Sequence, residues 1–90
     1  MKRFQIDWLP EALDGLADIW LKFPDRQAVN DVANLLEEQL EQDPLGWGTE
    51  LSEGLMTIEM APIRLIFTVD EATQVVEVLR AIAWREPKSR

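Results

Sequence analysis

Phe4, Ile6 and Trp8 alternate with Arg3, Gln5 and Asp7. That period of two marks a strand with one buried face. Pro10 follows, suited to the first turn of a helix, where its missing N–H costs nothing. Glu11 and Asp14 favour the positive end of that helix. Leu9, Leu13, Leu16, Trp20 and Phe23 then recur every three or four residues and predict one apolar stripe on a helix over Pro10 to Phe23. Gly15 within it suggests a close approach by a second helix. Pro24-Asp25 breaks the pattern, and Asp25 can cap the helix that follows. Val29, Val32, Ala33, Leu36 and Leu40 form the second stripe, widened by Ala28 and Leu35. Glu37, Glu38 and Glu41 read as its solvated side. Asp43-Pro44 closes the helix, because a residue before proline avoids the α region.

The rest of the chain reads as extended. Pro44 to Gly48 is expected to be a loop around Trp47, and Thr49 to Glu53 extended or irregular. Leu55 to Met60 alternates weakly, Ala61-Pro62 marks a turn, and Ile63 to Val69 forms the next strand. Leu65 to Val69 is apolar at most positions, so both its faces are expected to be covered. Asp70 to Thr73 is polar turn material. Gln74 to Trp84 holds Val75, Val76 and Val78, which favour a strand over a helix. The pattern predicts a two-layer α+β domain in the order β-α-α-β-β-β, with a helical hairpin packed on a mostly antiparallel sheet. The first strand is expected beside a later one. Residues 1–86 form the expected single domain, with a frayed tail over 87–90.

Composition removes several chemistries. The chain of 90 residues has no cysteine, histidine or tyrosine, and its only serines are Ser52 and Ser89. Disulfides and thiolate metal sites are excluded, and so is a serine or cysteine triad. No cofactor or metal is implied. No apolar run nears the roughly 20 residues of a membrane span. Met1-Lys2-Arg3 leads into Phe4-Gln5-Ile6-Asp7 rather than an apolar signal segment, and the expected location is cytoplasmic.

Charge is unevenly placed. The net charge is −8. Leu9 to Asp43 holds nine acids against Lys22 and Arg26, a local charge of −7. Such a field disfavours nonspecific nucleic-acid binding, which rests on lysine and arginine meeting phosphates.

Several local patterns resemble the RelE/ParE superfamily of small toxins from type II toxin–antitoxin systems, the plasmid stabilisation protein family. The opening strand ending at Trp8, then Ala12, Leu13 and Leu16, is similar to that family's entry into its first helix. Leu40 through Asp43-Pro44 and a glycine-containing loop resemble its exit from the second helix. Gly54 followed by Arg64 in Ile63-Arg64-Leu65-Ile66-Phe67 resembles its hallmark hairpin. Val76 to Ile82, with Arg80 inside, resembles its final strand. The resemblance spans about residues 3 to 86.

The resemblance implies that Arg64, Arg80 and Arg85 are candidate catalytic residues or target contacts. In RelE-like members, basic side chains and a tyrosine or histidine promote attack of a 2′-hydroxyl on the adjacent phosphate of ribosome-bound messenger RNA. There an arginine would stabilise charge on the phosphate. ParE-like members act on DNA gyrase. This chain carries Ala83 and Trp84 where members offer histidine or tyrosine, and no lysine between Gly48 and Trp84. Proton transfer then has no evident agent, so the ParE-like reading leads. It implies a toxin-like protein that binds a protein target and is neutralised by a cognate antitoxin with a basic and apolar C-terminal segment. One alternative is a catalytically silent interaction module derived from a toxin. Another is a ribosome-dependent endoribonuclease. Two simpler roles stand beside these: Arg64 in a salt bridge to Glu59 or Glu50 that ties the hairpin, and Trp47 as a lid over the core edge rather than a partner contact.

Overall fold

The computed structural model describes residues 3–85. The expected boundary at 86 and the tail over 87–90 lie outside the described residues. The elements are β1 (Gln5–Trp8), α1 (Pro10–Lys22), α2 (Arg26–Gln42), a one-turn helix α3 (Pro44–Trp47), β2 (Thr49–Ser52), β3 (Leu55–Met60), β4 (Ile63–Asp70) and β5 (Val75–Ala83). The two-layer α+β arrangement is the expected one. One short strand, β2, adds to the expected order, in the stretch read as extended or irregular.

The five strands run in the order β1-β5-β4-β3-β2. The last four form an antiparallel meander, and β1 pairs parallel to β5 at the edge, with Ile6 opposite Val76. A parallel neighbour needs a long connection: the helices carry the chain from β1 to β2 at the opposite edge, and the meander returns it to β5. Gly54 takes φ 79° in the turn between β2 and β3, a conformation that a side chain disfavours.

Both helices start as expected. Pro10 opens α1, and the Asp25 side chain accepts the Ala28 N–H at 3.1 Å at the start of α2. The loop expected after α2 is instead helical for one turn. Pro44 provides its pre-set φ, and the Asp43 carboxylate accepts the Gly46 N–H at 3.0 Å.

The helix layer covers one face of the sheet only. Ile58, Ile63, Leu65, Phe67, Val76 and Val78 form the buried sheet face, with Ile19, Val29, Leu36 and Leu40 above them. Each such side chain contributes roughly 1.5–3 kcal/mol on burial. The α1 stripe differs from expectation. Ala12 and Ile19 are buried, Leu16 and Trp20 lie at the flank, and Leu13 is half exposed. Small residues explain it: a Cβ at Gly15 would run into the Ala81 carbonyl, so α1 lies directly on β5. Gly15 therefore admits a strand, not the second helix. Bulkier apolar side chains are displaced to the sides of that contact.

Two acids expected to be solvated hold the layers together. Glu37 accepts the Trp8 indole N–H at 2.9 Å, and Glu41 pairs with Arg3 at 3.0 Å. Both tie α2 to β1 or to the chain just before it. Their neighbour Glu38 is exposed.

Candidate functional site

The sheet face turned away from the helices carries the site. Strand alternation sends Ile63, Leu65 and Phe67 to the core and Arg64, Ile66 and Thr68 to the other side. The expectation that both faces of this strand are covered is thus met on one face only. Arg64, Ile66 and Thr68 are half-buried.

Register then assigns the neighbours of Arg64. The connection between β3 and β4 is so short that Met60 pairs with Ile63 and Glu59 with Arg64. On the other flank Arg64 faces Ile82, and Ile66 faces Arg80. Arg64 and Arg80 are therefore diagonal neighbours on one face, a spacing of roughly 7–8 Å between such positions. Glu77 pairs with Thr68 farther along the same face.

Arg64 is bound at its Nε. That nitrogen lies 2.8 Å from Glu59 Oε2 and donates to Thr57 Oγ1 at 3.2 Å. Thr57 Oγ1 in turn donates to Glu59 Oε2 at 3.4 Å. Thr57 is 5% exposed, while the Arg64 and Glu59 side chains retain 35% and 28%. The three side chains form a closed, partly shielded cluster. The salt bridge to Glu59 is one of the two pairings considered from the sequence. Glu50 pairs with Met56, whose side chain packs on the core, and so sits on the opposite face. Sequence reasoning missed Thr57. Its position two residues before Glu59, on the same face of the strand, was the available signal.

Arg80 is exposed. Arg85 lies elsewhere. It lines a cleft of about 350 Å³ with Phe23, Asp25, Ala28, Pro62 and Trp84, at the end of the helix layer. The structure thus brings Arg64 and Arg80 together and separates Arg85 from them. Trp47 is 55% exposed on α3. Trp20 receives the Arg26 guanidinium 4.5 Å above its ring, an arrangement that stabilises both the cation and the exposed edge of the helix pair.

The face can bind a partner through paired charges and half-buried apolar side chains. Two arginines can contact anions, but the carboxylate beside Arg64 already occupies one of them. No histidine, tyrosine or cysteine exists in the chain to take a proton there. Among the described residues no acidic cluster is arranged to hold a metal ion. No described helix is long and apolar enough to cross a membrane.

No family model and no curated protein matches the sequence. Solved structures do match in shape. The RelBE2 toxin–antitoxin complex from Mycobacterium tuberculosis superposes with a TM-score of 0.74 at 21% identity, over 91% of this chain and 99% of that one. The chromosomal ParDE toxin–antitoxin system of P. aeruginosa gives 0.69 at 17% identity, over 91% and 97%. The isolated E. coli RelE toxin gives 0.64 at 18% identity, over 94% and 88%. The chain has the RelE/ParE toxin fold.

Proposed function

We propose that this chain is the toxin-like member of a toxin–antitoxin pair, acting by binding a protein target in the manner of ParE and neutralised by a cognate antitoxin. The observation that carries the proposal is the agreement in fold with toxins of such systems over nine-tenths of the chain. The outer sheet face with Arg64 and Arg80 is the contact surface in this reading. Its mixed charge and half-buried apolar groups suit a polypeptide better than a phosphate chain.

The antitoxin follows from charge. The segment forming the helix layer carries −7, and most of its acids are exposed. Leu13, Leu21 and Leu35 are exposed among them. An antitoxin segment that pairs lysine or arginine with apolar anchors matches that surface.

Induction of the wild-type chain and of Arg64→Ala in a bacterial host tests the proposal. Growth arrest by the wild type, lost in Arg64→Ala and relieved by the neighbour-encoded antitoxin, is expected. Harmless expression of both, with an intact pull-down of that antitoxin, selects the silent interaction module instead. The ion pair at Arg64 favours that second reading, because it gives the arginine a structural role. The ribonuclease reading requires new transcript ends at ribosomal A sites after induction; with no histidine or tyrosine in the chain, its only base on this face is a carboxylate that repels the phosphate, which argues for none.

A further inference from the structure

We propose that Glu59 sets the ligand class of the outer sheet face, by closing the Arg64–Arg80 pair to polyanions. The inference rests on the reading of that face as the target-binding surface and adds the residue that decides what it accepts.

Two arginines on diagonal positions of neighbouring strands can together contact a phosphodiester. A guanidinium offers several N–H donors, and its bonds to phosphate are among the stronger ones proteins make. Here the directly cross-strand position holds a carboxylate. Glu59 Oε2 lies 2.8 Å from Arg64 Nε. A phosphate reaching Arg64 meets that negative charge at contact distance. It must displace Glu59 or lie beside it, and like charges juxtaposed in a partly shielded place repel strongly.

Glu59 is not free to swing away. Thr57 Oγ1 donates to the same carboxylate oxygen and accepts from the same guanidinium nitrogen. Thr57 is buried. The threonine therefore fixes the carboxylate at the arginine. Glu77 carries a second negative charge at the far end of the face, opposite Thr68. Polypeptide partners pass this filter. An uncharged donor can bond the free lone pairs of Glu59, and an acidic side chain needs Arg80 alone, whereas a polyanion that spans both arginines must pass Glu59.

Glu59→Gln tests the filter with minimal change of shape, since the amide oxygen can still accept from Thr57. Protein labelled with ¹⁵N is titrated at low salt with a single-stranded RNA hexanucleotide while the Arg64 Nε–H resonance is followed. The wild type is expected to show no saturable shift. Glu59→Gln is expected to bind at least about ten-fold more tightly, with the Arg64 resonance moving and the affinity falling as salt is added. Adding Arg80→Ala to that variant should weaken binding again. Equal affinity of wild type and variant overturns the proposal, as does binding that leaves the Arg64 resonance in place. If Glu59→Gln lacks a native amide spectrum, Glu59→Thr, a strand-favouring residue, decides by the same readout. Failure here leaves the growth test untouched: a toxin whose face is not gated by Glu59 still arrests growth, and an inert chain can still be gated.

Discussion

The two faces of the same sheet obey different rules. On β4, Ile63, Leu65 and Phe67 are wholly buried under the helices, while the intervening Arg64 and Ile66 keep part of their surface in solvent. One face is a packed interior where volume and shape decide the energy. The other is a thin polar and apolar mixture where charge placement decides what can bind. Neighbouring residues along one strand should therefore fail in different ways: the inner ones by unfolding the domain, the outer ones by altering recognition in a domain that still folds.

Phe67→Ala is the strongest test of that division. Phe67 is 0% exposed and is the largest of the fully buried side chains. Its truncation leaves a cavity as well as removing buried area, and is expected to cost about 3–5 kcal/mol. For a domain of this size that corresponds to a fall in Tm on the order of 20 °C. Thermal unfolding by circular dichroism reads it. A loss under about 1 kcal/mol would mean that the inner face does not carry the fold.

Gly15→Ala sharpens the comparison from the helix side. Alanine gains roughly 1 kcal/mol over glycine in a helix interior. Here the added Cβ meets the Ala81 carbonyl, a backbone atom of β5 that cannot rotate away. Overpacking of this kind costs about 1–3 kcal/mol, and the helix must lift off the strand to relieve it. The expected result is net destabilisation of up to about 2 kcal/mol in urea unfolding. A stabilised variant would show that α1 has slack against the sheet, contrary to the close approach described above.

This contact also explains what the sequence did and did not disclose. Strand and helix positions followed from periodicity and from Pro10, Asp25 and Pro44, because those signals are local. The buried side of α1 did not. A stripe search weights Leu13 and Trp20, but a helix lying directly on a strand needs small residues at the contact, here Ala12 and Gly15. The outer face of β4 was hidden for a related reason: Ile66 is apolar yet lies on the half-open side, so hydrophobicity alone made the strand look covered twice. Charge at the site was partly legible. Glu59 was one of two candidate partners for Arg64, and choosing it over Glu50 requires the pairing of Met60 with Ile63 across a two-residue connection. Grouping Arg64 with Arg80 but not Arg85 depends on the shifted register between Ile66 and Phe67 and on where the chain turns after Ala83. Those are long-range facts, and no local pattern encodes them.

The smallest expected effect falls on Arg64→Met, which keeps an unbranched apolar stem and removes the charged guanidinium. Its ion pair with Glu59 is about one-third exposed on both sides, and pairs in that setting contribute about 1 kcal/mol or less. Thr57 still donates to Glu59, so the carboxylate keeps one partner. Stability should drop by no more than about 1 kcal/mol, well below Phe67→Ala on the same strand. Any growth arrest caused by the wild-type chain should nevertheless disappear, because the substituted side chain offers a partner no donor. A loss of 3 kcal/mol or more would make Arg64 a structural residue like those on the inner face, and the distinction between the two faces would collapse. Small loss of stability together with loss of arrest would separate what holds the sheet from what the sheet presents.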